Sequence, residues 1–118
     1  MYEYNAKIIR WLDGDSLDVE LDLGVDTLRR MRVRLAGVNA PEVHSKDPDE
    51  KERGLAALAF ASALAPPGSA VRTKTDKPKE KFGRYLARIW TASGKDVAVE
   101  LIAAQLARAW DGSGERPI

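Results

Sequence analysis

The sequence contains no cysteine, and its one histidine is His44. Disulfide bonds, thiolate chemistry and cysteine-ligated zinc are therefore excluded, and so is a metal site built from several histidines. Any metal ion has to be held mainly by oxygen atoms, which favours calcium or magnesium.

Long hydrophobic runs are also missing, since no window approaches the ~18 apolar residues of a membrane span. Residues 1–4 do not begin a secretory signal, so the chain as given is expected to be cytoplasmic, or secreted if a signal has been removed. A length of 118 residues predicts one domain, 1–118, with enough chain to bury a core. No membrane contact and no obligate protein partner are expected.

The net charge of +1 gives no argument for nucleic acid, but one segment is strongly basic. Residues 72–88 carry seven basic and two acidic side chains, a local charge of +5. Such a run is typical of a solvated lysine loop. The functional alternative is a groove that faces phosphate groups.

Hydrophobic patterning predicts five strands, at 4–12, 17–23, 28–38, 70–75 and 86–91. The second strand alternates apolar and acidic residues, and the third alternates apolar residues with Arg30, Arg32 and Arg34. These two strands are expected to pair as a hairpin with opposed acidic and basic outer rows.

Alanine-rich and leucine-rich stretches predict helices at 52–65 and 97–107. Loops are expected at 44–51, which contains Pro48, and at 77–83, and the residues from 110 onward are expected to be an extended tail. The order of elements indicates a mainly-β α+β protein and fits an OB-fold, a small barrel that binds oligonucleotides.

Three short motifs stand in order along the chain: Asp13-Gly14-Asp15-Ser16, the stretch from Arg34 to Glu42, and Lys81-Phe82-Gly83-Arg84. Together they resemble the staphylococcal nuclease (thermonuclease) family, whose motifs are D-G-D-T, R-L-x-x-x-D-T/A-P-E and D-x-Y-G-R. The resemblance covers about residues 8–117. It implies closure of the strands into a five-stranded OB-fold barrel capped by two or three helices.

The resemblance implies that Arg34 and Arg84 are the catalytic arginines and that Glu42 prepares the attacking water. Arginine suits phosphodiester hydrolysis because its planar fork donates two hydrogen bonds to phosphate oxygens and stays charged. The structural alternatives are a strand surface charge for Arg34, a turn residue for Arg84 and a loop carboxylate for Glu42.

For the metal, the resemblance assigns Asp15 as the principal calcium carboxylate and Ala40 as a main-chain carbonyl ligand. Asn39 stands where the family has a second carboxylate, so it offers a carbonyl oxygen without the charge. Asp13 is expected to orient the turn or to hold a metal-bound water. The alternative for this motif is a plain turn.

The same resemblance places Lys81, Phe82 and Trp110 at the nucleic acid. Phe82 replaces a family tyrosine whose hydroxyl reaches a terminal phosphate, and Trp110 is expected either to stack on a sugar or base or to pack. The implied activity is calcium-dependent hydrolysis of DNA and RNA with little sequence specificity, giving 3′-phosphate ends. The alternative is a non-catalytic nucleic-acid-binding module with a weakened metal site.

Overall fold

The computed structural model describes residues 2–76 and 85–110. Its elements in chain order are β1 (Tyr2–Asp13), β2 (Ser16–Asp22), β3 (Leu28–Leu35), β4 (Val38–Asn39), α1 (Pro48–Leu64), β5 (Ala70–Asp76), β6 (Tyr85–Thr91), α2 (Val97–Ala103) and β7 (Arg108–Ala109). The predicted basic loop at 77–83 and residues 111–118 of the predicted tail lie outside the described residues.

Five strands close into a barrel in the order β1-β2-β3-β6-β5. Strands β3 and β6 run parallel, and the other neighbouring pairs run antiparallel. Helix α1 packs on β1 and α2 packs on β6. The predicted mainly-β α+β fold with a five-stranded OB-type barrel is thereby confirmed.

The alternating pattern of β2 supplies the barrel core. Leu17, Val19 and Leu21 point inward and are at most 3% exposed. Burying a side chain of this size contributes roughly 1.5–3 kcal/mol. The period of two also fixes the register of β2 against its neighbours, because a slip by one residue would turn these side chains outward.

The predicted opposition of acidic and basic rows across β2 and β3 is confirmed. Arg32 Nε donates to Asp18 Oδ1 at 2.9 Å, and Arg30 Nε donates to Glu20 Oε2 at 3.2 Å. Arg10 on β1 also donates to Asp18, at 2.9 Å. The hydrogen bond from Arg32 holds the pKa of the Asp18 carboxyl below its usual value of 3.8. The ionised Asp18 carboxylate therefore contributes fully to stability above pH 3.8, and this contribution is lost as the pH falls further.

The third strand is shorter than the predicted 28–38, because the chain turns after Leu35. Gly37 has φ +81°, a conformation that glycine adopts without strain, and Ala36 N donates to Ala87 O at 2.9 Å. Beyond this turn β4 leaves the barrel and pairs with β7 in a separate two-stranded ribbon. The continuous strand was therefore a wrong prediction.

Helix α1 starts four residues before the predicted 52, at Pro48. The Asp47 side chain caps it by accepting a hydrogen bond from Asp49 N at 3.1 Å. Proline is well tolerated in the first helical turn, where its missing N–H leaves no hydrogen bond unmade. Pro48 thus begins the helix, and the prediction that it belongs to a loop was wrong.

Helix α2 ends four residues before the predicted 107. Gln105 takes a left-handed conformation with φ +61°, and Leu106 N donates to Leu101 O at 3.0 Å. Gln105 N also donates to Ile102 O at 2.9 Å, so the end of the helix is a Schellman motif. The motif releases the chain into β7.

Among the described residues there is no helix long and apolar enough to cross a membrane.

Candidate active site

Three polar side chains meet where β2 begins and β3 and β4 end. Asp15 precedes β2, Arg34 lies near the end of β3, and Asn39 ends β4. All three are buried, with exposed fractions of 5%, 8% and 6%. The turn after Leu35 creates this meeting, because it folds β4 back toward the start of β2.

Arg34 binds the oxygens of this cluster through one terminal nitrogen. Its Nη2 donates to Asp15 Oδ2 at 3.2 Å, to Asn39 Oδ1 at 3.0 Å and to Val38 O at 3.4 Å. Arg34 follows Arg30 and Arg32 on the outer side of β3, as predicted, but it is buried where those two arginines are exposed.

The ring of Trp110 lies against the same guanidinium. Arg34 Cζ stands 4.9 Å from the ring centroid, within the range of a cation–π contact. Trp110 N donates to Gly37 O at 3.0 Å, just after β7 has paired with β4. Trp110 thereby reaches the cluster from the far end of the chain.

The loop that carries Glu42 is tied to the Asp13–Asp15 turn at both ends. Ala40 N donates to Asp15 Oδ2 at 2.9 Å, and Val43 N donates to Asp13 Oδ1 at 3.0 Å. Glu42 itself has an exposed side chain. The two aspartates therefore fix the backbone on either side of a carboxylate that faces solvent.

Helix α1 supports this loop from behind through Gly54. A Cβ atom at Gly54 would lie 2.7 Å from both the carbonyl carbon and the carbonyl oxygen of Glu42, too close for any side chain. Gly14 is similarly close to Ala57 and Ala40. The two glycines let helix, turn and loop approach closely, so the backbone around Glu42 is packed against α1.

The side-chain oxygens of the cluster are of the types that calcium binds. Asp15 Oδ2 and Asn39 Oδ1 lie near each other, since both accept from Arg34 Nη2 within 3.2 Å. Carboxylate and amide oxygens are ligands that calcium accepts. Their summed charge is a single negative unit, and no group of three or more His, Asp or Glu side chains suited to a metal occurs within residues 2–76 and 85–110.

Of the residues predicted for the site, the structure brings together Asp13, Asp15, Arg34, Asn39, Ala40 and Trp110 through the contacts above, and it places Glu42 on the loop that these contacts hold. Arg84, Lys81 and Phe82 lie outside the described residues, and the roles assigned to all of the site residues stay predictions.

Beside the cluster lies a cavity of about 160 Å³ that reasoning from the sequence did not anticipate. It lies between α1 and the ribbon, and its lining includes Asn39, Arg53 and Arg108. The two arginines are far apart in the sequence and belong to no motif, and they meet because α1 lies beside the ribbon in which Arg108 pairs with Asn39.

Comparison with known proteins gives a consistent picture. A sequence profile of the family described as staphylococcal nuclease homologue matches residues 32–116. Endonuclease YhcR of Bacillus subtilis (strain 168) is 28% identical over 106 residues, which cover 85% of this chain and 8% of that protein. The thermonuclease of Staphylococcus hyicus is 32% identical over 109 residues, covering 91% of this chain and 60% of that protein.

A third relative, protein ParB of Escherichia coli, is 26% identical over 88 residues, covering 75% of this chain and 42% of that protein. The chain thus spans less than two thirds of the length of each of these relatives. The region matched by the family profile contains Arg34, Asn39 and Glu42, and it begins after Asp15.

Proposed function

Because this chain belongs to the staphylococcal nuclease homologue family, we propose that it is a nuclease that hydrolyses phosphodiester bonds of DNA and RNA. The relatives named as a thermonuclease and an endonuclease support this reaction class. The finer parts of the proposal are calcium as cofactor, little sequence specificity and products ending in 3′-phosphates.

The observation that carries the proposal is the burial of a guanidinium next to the hydrogen-bonded loop that carries Glu42. Arg34 is 8% exposed, whereas Arg30 and Arg32 on the same side of β3 are exposed. Burying a charge is costly, and the hydrogen bonds from Arg34 to Asp15 and Asn39 offset part of that cost. A shielded guanidinium interacts more strongly with charge that develops on a phosphate than an exposed one does.

In the proposed reaction each residue has a distinct task. Arg34 donates hydrogen bonds to the phosphate oxygens and stabilises the charge of the five-coordinate transition state. Glu42, held on its loop, positions or deprotonates the attacking water. Asp15, Asn39 and the Ala40 carbonyl would hold calcium, which supplies Lewis-acid polarisation of the phosphate when bound.

A cleavage assay tests the proposal directly. Mixed-sequence single-stranded DNA and RNA are incubated with the protein in calcium, in magnesium and in chelator. We expect cleavage in calcium, much less in magnesium, and 3′ ends that become extendable after phosphatase treatment. Calcium is favoured because it accepts irregular oxygen ligand sets, while magnesium demands a near-octahedral one.

Glu42→Gln protein prepared in parallel identifies cleavage by a contaminating nuclease. Equal cleavage in chelator, or in magnesium alone, would contradict calcium dependence. Binding of the oligonucleotides without cleavage under any of these conditions would instead favour a second candidate function, a nucleic-acid-binding module.

One observation favours that second candidate. Arg34 donates hydrogen bonds to both side-chain oxygens that calcium would use. Asp15 and Asn39 together carry one negative charge, whereas two carboxylates would carry two. Calcium therefore competes with an internal cation for its ligands. A chain in which this competition always favours Arg34 would hold nucleic acid on the barrel without cutting it.

Replacing Asn39 with aspartate is expected to tighten calcium binding by about 5- to 30-fold, equal to about 1–2 kcal/mol. The new carboxylate attracts both Arg34 and calcium, but the divalent ion gains more from it than the monovalent guanidinium does. Isothermal titration with calcium measures the change in affinity, and activity at low calcium should rise with it.

Asn5→Asp is a matched control, because Asn5 Oδ1 also accepts a hydrogen bond from an arginine, Arg72, at 3.1 Å. It adds the same charge on β1, away from the cluster, and should leave calcium affinity within about twofold. Unchanged affinity in Asn39→Asp would show that Asn39 is not a calcium ligand.

A further inference from the structure

The contact between Trp110 and Arg34 joins the C-terminal ribbon to the buried cluster. The Trp110 ring covers the guanidinium with its centroid 4.9 Å from Cζ. The three hydrogen bonds to Asp15, Val38 and Asn39 leave from Nη2. The cation–π contact places Cζ over the face of the indole ring, whereas these hydrogen bonds hold the Nη2 atom.

The backbone around Trp110 is held independently of its ring. Trp110 N donates to Gly37 O at 3.0 Å, and the preceding residues pair with β4, with Ala109 opposite Val38 and Arg108 opposite Asn39. The same β4 therefore carries Asn39, which accepts from Arg34 Nη2, and pairs with the strand that precedes Trp110. Both contacts of the guanidinium depend on one two-stranded ribbon.

From this geometry we infer that Trp110 is a positioning residue, which fixes the Arg34 guanidinium for its contact with the phosphate. The inference rests on the proposed nuclease function for its catalytic consequence. The hydrogen bonds hold the guanidinium at its Nη2 end, and a ring packed against Cζ restricts how far the rest of the group can tilt. A small misplacement of a group that contacts the transition state lowers turnover strongly.

This role differs from stacking on a sugar or base. One face of the half-buried Trp110 ring lies against Arg34. If a base stacked on the ring, Trp110 would contact the substrate directly, and loss of Trp110 would weaken substrate binding. A positioning residue acts through Arg34 instead, and its loss lowers kcat with little change in KM.

The experiment compares Trp110→Leu and Trp110→Phe with a matched control, Trp90→Leu. Trp90 is also half-buried, and it lies on β6 opposite Arg72, so its removal deletes an indole outside the cluster. The first readout is kcat and KM on single-stranded DNA in calcium. The second is the side-chain NMR signal of Arg34, assigned by its absence in Arg34→Lys, because a ring over a guanidinium shifts that signal upfield.

We expect Trp110→Leu to lower kcat by about tenfold, with KM within about twofold, and Trp110→Phe to recover most of the loss. The Arg34 signal should lose its upfield shift in Trp110→Leu and keep it in Trp90→Leu. If Trp110→Leu does not fold, Trp110→Phe carries the test, since the smaller ring predicts a reduced shift.

Three outcomes would overturn the inference. The Arg34 signal could fail to respond to Trp110→Leu, or Trp110→Leu could keep the kcat of a wild type that cleaves DNA. A raised KM with unchanged kcat in Trp110→Leu would indicate contact with the nucleic acid instead. If the wild type cleaves nothing, the proposed function fails separately. The NMR comparison then still decides whether Trp110 fixes Arg34.

Discussion

Replacing Arg34 with lysine is expected to lower kcat by about 100-fold, equal to about 2.7 kcal/mol of transition-state stabilisation. Lysine keeps the positive charge beside Asp15 and so avoids leaving a buried carboxylate unpaired, which would endanger the fold. It cannot reproduce the planar fork that donates two hydrogen bonds to one phosphate. The loss should therefore be in turnover rather than in folding.

Steady-state kinetics on single-stranded DNA measure this loss, and thermal unfolding checks the fold. Arg32→Lys is the matched control, because Arg32 lies two residues away on β3, is exposed and pairs with Asp18. It should retain at least half of the wild-type turnover. A folded Arg34→Lys protein with wild-type kcat would reduce Arg34 to a structural ion-pair partner.

The strands were predictable wherever a strict period of two met a buried face. In β2, Leu17, Val19 and Leu21 are core residues and the acidic residues between them face outward, as the pattern indicates. Pairing with β3 followed from the charges, because Asp18 faces Arg32 and Glu20 faces Arg30 in the observed register.

The same rule failed at the end of β3, where Val33, Arg34 and Leu35 are all buried. Alternation predicts one exposed face, but here both faces of the strand are covered. Inside lies the barrel core, and outside lies the ribbon of β4 and β7 with Trp110. Because β7 and Trp110 lie more than 70 positions further along the sequence, the alternation of residues in β3 does not indicate that they cover its outer face.

The start of α1 and the end of α2 were predicted wrongly, in each case for a local reason. Pro48 reads as a helix breaker, yet after the Asp47 cap it occupies a position that proline favours. The end of α2 carries a left-handed Gln105 where glycine is the usual signal. Since Gln105 has good helix propensity, propensity alone extends the helix past its real end.

For the candidate site, the first two motifs predicted residues that the described fold brings together. Asp13 and Asp15 hold the backbone on both sides of Glu42 while Asp15 also binds Arg34. The contact of Arg34 with Trp110 depends on ribbon pairing, so no motif predicts it. Residue type and order suggested a chemistry, which stays a prediction, and mutual orientation required the tertiary structure.

Glu42→Gln is expected to lower kcat by about 10²- to 10⁴-fold, the usual contribution of a general base. The amide keeps the size of the side chain and the loop backbone, whose N–H donors at Ala40 and Val43 are bound by Asp15 and Asp13. It loses the ability to accept a proton. The substitution should therefore leave the unfolding temperature close to that of the wild type and oligonucleotide affinity within about twofold, while turnover collapses.

The matched control is Glu52→Gln, an exposed carboxylate on α1 whose replacement makes the same change of charge. For Glu42→Gln, single-turnover cleavage in saturating calcium separates loss of chemistry from loss of metal. Its calcium affinity, measured by titration, should stay within about threefold of the wild-type value, because Glu42 is not one of the proposed ligands Asp15 and Asn39. Turnover within threefold of wild type would show that water is activated without Glu42. A parallel collapse in Glu52→Gln would instead trace the effect to charge near the substrate, because the two variants share nothing but the lost carboxylate.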